Sequence, residues 1–311
     1  MSDKIRSLAN MITLSGKVTE IEIRKGNNKN KSADISIKGE IQFGDTKAHT
    51  RKFETYVAEF NAEGKESKMY DKTLTFANSV KSVAKAGEDE ATMVSIQGEF
   101  GTNDYVSSKD KLIEGLKINA KFFNDVKVDE EFKGVADVEG YIQTIAPEVK
   151  GEEEKETGRL RVTIITTDFF GNIIPVKNII VPADLREGFE EGYQEGQTAK
   201  LFVDFIVNQS EGKPVKAGGL GKQRVTQGKS YVEMIVTGAD PAFDEDDEMG
   251  ISTEAIRIAL SERKAKLDDL KSKGYQGGKD GKSSGGGKSD NRKGLGNGKP
   301  KPIEEDGDIP F

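Results

Sequence analysis

Ile12-Thr13-Leu14-Ser15-Gly16-Lys17-Val18-Thr19-Glu20-Ile21-Glu22-Ile23 places apolar or small residues at every second position through Leu14, Gly16 and Val18, then slips by one position to Ile21 and Ile23. A period of two marks a half-buried strand, and a slip without a break in the strand implies a β-bulge. The pattern returns, with the same slip, as Val138, Gly140, Ile142 and then Ile145. A bent first strand that occurs twice predicts two similar units in one chain.

The segments that follow each copy agree. In the first half, Ala33 to Phe43 and Arg51 to Phe60 read as strands. Tyr70 to Ala84 has helical spacing, with Asp71 as N-cap and Gly87 as stop, and Thr92 to Phe100 and Leu112 to Phe123 return to strand. In the second half, strands are expected at 132–145, 159–167, 173–181, 198–207 and 230–237, with a short helix from Ala183 after the third. Five strands with a helix between the third and fourth is the layout of the OB-fold, a partly open Greek-key barrel. The expected fold is therefore mostly β, with two tandem OB-fold-like barrels over residues 1–125 and 126–240. An acidic linker and a helix capped at Ser252 or Thr253 follow over 241–272, then a disordered Gly/Lys tail over 273–311.

The chain has 311 residues, 34% hydrophobic and 32% charged, with no Cys and one His. That is little apolar mass for one large core, and it excludes a disulfide frame or thiolate metal site, so a reducing cytosol is the expected compartment. There is no apolar run long enough to span a membrane. The net charge of −7 is segregated: residues 1–125 are nearly neutral, 126–272 acidic, 273–301 basic and the last ten acidic.

Basic loops with interspersed aromatic rings are what a single-stranded nucleic acid needs, since cations meet phosphates and exposed rings stack bases of any sequence. The first half offers Arg24, Lys25, Lys29 and Lys31 after its first strand, then Lys47, Arg51 and Lys52, then Tyr105, Lys109 and Lys111. In an OB-fold the connections after the first and fourth strands flank the ligand face. In Phe53 to Phe60 alternate residues face opposite ways, and one set must be core; the favoured arrangement has Phe53 inward and Tyr56 towards a ligand. Phe122 and Phe123 divide between the faces in the same way. The second half offers Phe169 and Phe170 at a strand turn, and Lys222 and Arg224 in a Gly-rich basic loop. His49 stands alone, and no nucleophile, phosphate loop or metal-ligand spacing is present, so no enzyme activity, cofactor or metal is expected.

The final residues, Glu304-Glu305-Asp306-Gly307-Asp308-Ile309-Pro310-Phe311, join an acidic run to an apolar anchor. This segment resembles the tip of bacterial single-stranded DNA-binding proteins, whose tails end in an acidic run and Asp-Ile-Pro-Phe. Asp308, Ile309, Pro310 and Phe311 match residue for residue, whereas Gly307 interrupts the acidic run after Asp306. The resemblance implies a protein that coats single-stranded DNA and recruits replication, recombination and repair proteins through the tip. Two barrels per chain departs from the usual single barrel and points to a phage- or plasmid-type member acting as monomer or dimer. The alternatives are a protein-binding adaptor that occupies host docking pockets and a DNA-processing nuclease.

Overall fold

The structure is a computed structural model and describes residues 5–29, 32–46, 48–61, 63–126, 132–150, 155–209, 214–215, 224–225 and 230–275. The first half comprises β1 (Asn10–Asn27), β2 (Ala33–Gln42), β3 (Thr50–Ala58), α1 (Lys68–Ser79), α2 (Val83–Ala86), β4 (Met93–Thr102), a two-strand flap β5 (Tyr105–Val106) and β6 (Leu112–Ile113), and β7 (Leu116–Asp125). The second comprises β8 (Lys133–Lys150), β9 (Lys155–Thr167), β10 (Ile173–Val181), α3 (Arg186–Gly192), β11 (Thr198–Gln209), β12 (Pro214–Val215), β13 (Arg224–Val225) and β14 (Ser230–Ala239), followed by α4 (Thr253–Ser272).

The doubled bent strand is the hinge of the architecture. Ile12 to Lys17 of β1 pair with β4, Lys17 to Asn27 pair with β2, and the register shifts between Val18 and Glu20. In β8 the partner changes from β11 to β9 around Tyr141, and the register shifts between Ile142 and Thr144. At these crossings a neighbouring strand runs against the backbone. A Cβ at Gly16 would collide with the Gln42 carbonyl oxygen, and one at Gly140 with that of Ile165, so only glycine fits.

The pairings β1–β2–β3–β7–β4–β1 close a five-stranded barrel in which β3 and β7 are parallel and meet at the single pair Glu54 and Asn119. The same pairing order recurs as β8–β9–β10–β14–β11–β8, again with a parallel third and last strand. Between the two circuits, β1 and β8 pair antiparallel from Asn10 with Val138 to Ser15 with Lys133, so all ten strands form one sheet. Ile12, Leu14, Ile35, Ile37 and Phe100 pack in one continuous core with Ala136, Val138, Val162, Ile164 and Phe205.

The helices differ from the expected ones in detail. The first helix starts after Ser67 rather than at Asp71 and breaks after Ser79. Thr92 takes both backbone groups of Lys81, its N–H donating to the Lys81 carbonyl and its Oγ1 accepting from the Lys81 N–H, each at 2.8 Å, which removes the groups a continuous helix would use. Phe76 of α1 stacks on Phe123, centroids 4.1 Å apart, and plugs one end of the first barrel. The final helix runs as expected, with the Ser252 hydroxyl accepting from the Ala255 N–H. It covers the outer face of the second barrel, where Tyr141, Ile165 and Ile173 cluster with Ile251 and Ile256. The expected tail from residue 276 onward lies outside the described residues.

Elsewhere on the second barrel the Glu148 side chain is 1% exposed and holds Arg159 through two hydrogen bonds of 2.7 and 2.8 Å; Arg159 also donates to Glu233. Burial pushes the Glu148 carboxyl up, but the Arg159 and Thr157 hydrogen bonds outweigh it and bring it down to about 2. A folded-state pKa below the ordinary 4.5 adds stability above that pH, lost as the pH falls towards 2. Glu148→Gln should therefore cost on the order of 2–3 kcal/mol at pH 7 and much less at about pH 2, read by urea denaturation at both pH values.

Candidate nucleic-acid interface

Strand alternation on the first barrel sorts side chains into a core and an outer face. Ile35, Ile37, Phe53, Thr55, Val57, Ile118 and Ala120 point inward and are buried. Ser36, Lys38, Lys52, Glu54, Tyr56, Lys117, Asn119 and Lys121 take the alternate positions on β2, β3 and β7. Because β3 and β7 pair at one point only, the surface between them is open. Two adjoining depressions of about 790 and 450 Å³ run along it and share Lys38, Glu54 and Lys117. They form one groove.

The larger depression is walled by aromatic rings that water reaches: Tyr56 at 60% exposure, Phe60 at 39% and Phe170 at 77%. Phe170 comes from the β9–β10 turn, so the second barrel supplies one wall of a groove on the first. Lys38 and Lys52 are exposed in the groove, whereas Lys117 is paired with Glu54 at 2.5 Å and Lys121 with Glu99 at 3.0 Å. The Tyr56 hydroxyl donates to Asp34 at 3.1 Å, which fixes the ring at the groove edge. Such a surface offers cations and flat apolar faces to an extended ligand. Among the described residues no group of three or more His, Asp or Glu side chains is arranged to hold a metal ion.

Of the residues singled out from the sequence, Lys52, Tyr56 and Phe170 come together here. Phe169 lies beside Phe170, 79% exposed, with ring centroids 5.6 Å apart. Arg51 shares the inward phase of Phe53 and, with Phe53, Phe100 and Ile118, lines the floor of the smaller depression; its guanidinium lies over the Phe205 ring at 5.5 Å, and burial lowers its pKa. Its position makes it part of the junction between the barrels. Arg24 pairs with Glu22 and Lys25 donates to Asn78; with the exposed Lys29 they lie on the β1–β2 hairpin, outside the two depressions. Lys31, Lys47, Lys222 and the tip residues Asp306, Asp308, Ile309, Pro310 and Phe311 lie outside the described residues, as does the side chain of Arg224. Lys38, Lys117, Lys121 and Phe60 were not singled out, although the period-two spacing of Lys117, Asn119 and Lys121 already puts them on one face. Phe122 is 44% exposed, while Phe123 packs inward.

Tyr105, 48% exposed, and the exposed Lys109 and Lys111 sit on the flap between β4 and β7. The flap is tethered by α4: Arg263 pairs with Asp104 at 2.8 Å, each side chain 13% exposed, and reaches Glu114 at 3.5 Å. Lys177 of β10 also approaches Glu114, at 3.6 Å. Among the described residues no helix is long and apolar enough to cross a membrane. Removing one partner of a secluded ion pair leaves the other uncompensated. Arg263→Met should cost roughly 3 kcal/mol and speed amide exchange across residues 103–115, with the β1–β2 amides unchanged.

The fold and groove define a mostly β protein of barrel architecture with an open aromatic and cationic face. The YorF family model matches residues 9–273, and the chain belongs to the YorF family. No curated protein matches the sequence. Among solved structures it is similar to the single-stranded DNA binding protein from Thermus aquaticus. A deletion mutant of that protein has 8% identity over 78% of this chain and 99% of the other, with a TM-score of 0.47. The wild-type form has 8% identity over 78% and 97%, with a TM-score of 0.46. A Replication Protein A heterotrimer bound to ssDNA has 11% identity over 83% of this chain and 53% of the other, with a TM-score of 0.21.

Proposed function

We propose that this protein binds single-stranded DNA, without catalysis, along the groove of the first barrel. The observation that carries the reading is the groove itself, where Tyr56, Phe60 and Phe170 stand exposed between Lys38, Lys52, Lys117 and Lys121. Exposed rings gain most from unstacked bases, each worth about 1–3 kcal/mol, and a duplex hides those faces. The ion pairs of Lys117 and Lys121 temper the attraction, because a phosphate must compete with Glu54 and Glu99. Residues 1–125 are the binding unit in this reading, and 126–240 the platform that holds it.

The segment Asp306 to Phe311 is the proposed docking element for replication, recombination or repair proteins, on the strength of its acidic residues beside the Ile309-Pro310-Phe311 anchor. A synthetic peptide of residues 302–311 tests it by competing with the whole protein for a partner.

With three or four lysines engaged, the logarithm of the association constant should fall with the logarithm of salt at a slope of about −2 to −3. Tyr56→Ala should weaken binding to oligo(dT) roughly ten-fold. Glu54→Gln should tighten it a few-fold at low salt by releasing Lys117. Titrations of single strand, duplex and RNA at two salt concentrations measure all of these. Salt-independent binding, or a preference for duplex, would sink the reading.

A further inference from the structure

We infer that the strand-binding track is composite, running from the first barrel onto the Phe169–Phe170 turn of the second, so that each chain holds one strand at one site. This rests on the single-strand reading of the groove and adds to it the role of the second barrel.

Three observations converge. Phe170 lines the same depression as Tyr56 and Phe60 although it belongs to the other circuit of strands. The turn that carries it is rigidly built. Asp168 Oδ1 accepts from the backbone N–H groups of Phe170 and Asn172 at 2.9 and 2.8 Å, and its Oδ2 accepts from Asn172 Nδ2 at 2.9 Å. Gly171 takes the left-handed conformation that closes the turn, at φ 81°. A turn so completely satisfied by Asp168, Gly171 and Asn172 has no structural use for two phenyl rings, yet both project into solvent at an interplanar angle of 83°. Beside a groove lined by Tyr56 and lysines, the occupant that suits them is the next bases of the same strand, one on each ring face.

The third observation is that two described surfaces of the second barrel, on β8 and β9, are already occupied by other parts of the chain. Its outer face at Tyr141, Ile165 and Ile173 is covered by α4. Further along β9, Arg159 is held between Glu148 and Glu233, and Arg161 reaches the same Glu148, so these two cations are already paired. The second barrel therefore lends rings to its neighbour's site.

The test uses the full chain and oligo(dT) of about 15 nucleotides, within the span of one such barrel site. Native mass spectrometry and a binding isotherm should give one strand per chain in a single phase. The double substitution Phe169→Ala and Phe170→Ala should lower affinity roughly ten- to a hundred-fold. Its melting temperature should match the parent's, because both rings are exposed. Tyr56→Ala should lower the same single phase. Two strands per chain, with the double variant removing one phase and sparing the Tyr56-dependent phase, would overturn the composite site. Unchanged binding by the double variant would also overturn it, and would leave the Tyr56 groove standing. Absence of single-strand binding in the parent chain would remove both this inference and the reading beneath it.

Discussion

Six residue pairs between β1 and β8, from Asn10 with Val138 to Ser15 with Lys133, set the position of everything else. Each strand already pairs with a strand of its own barrel on the other side, β1 with β4 and β8 with β11, so the ladder turns two closed circuits into one sheet. Facing residues in a ladder point to the same side, which places Ile12 and Ala136 in one core. The junction is tightened by Phe43, whose ring leaves no room for a Cβ at Gly134 and meets Phe205 edge-on at 6.2 Å. At the near end, Glu139 accepts from the Ala9 N–H and from Arg6. A slip of one residue here would turn every side chain of one barrel inside out relative to the other.

The two similar circuits nevertheless present different surfaces. In the first, the single pair between β3 and β7 leaves an open face, and the aromatic and basic side chains on it stay in contact with water. In the second, α4 covers Tyr141, Ile165 and Ile173, and Arg159 ties Glu148 of β8 to Glu233 of β14. The same helix then crosses to the first barrel and pins the flap through Arg263 and Asp104. Part of the acidity of the second half is internal, with Glu148 and Glu233 both engaged by Arg159.

Much of the fold was legible because it is local. The slip after Val18 and after Ile142 appears in the register as the predicted bulges, and strand spacing located the ten barrel strands to within a few residues. The helix break at Val80 was not legible, because it depends on Thr92 capturing Lys81 from a distant segment. Parity also places Arg51: once Phe53 and Thr55 are inward, Arg51 two residues earlier is inward as well, at the floor of the smaller depression. The same parity would have brought out Lys38, Lys117 and Lys121. No pattern within residues 168–172 could place Phe170 against the first barrel, since that proximity is created by the β1–β8 ladder far away in sequence.

Photo-cross-linking of oligo(dT) carrying halogenated uracil, followed by peptide mapping of the full chain, interrogates the groove most directly. Adducts should concentrate on Tyr56, Phe60 and the Phe169–Phe170 turn, and should disappear as salt is raised. Adducts confined to the β8–β9 strands of the second barrel, with Tyr56 and Phe60 unmodified, would contradict a binding face on the first barrel.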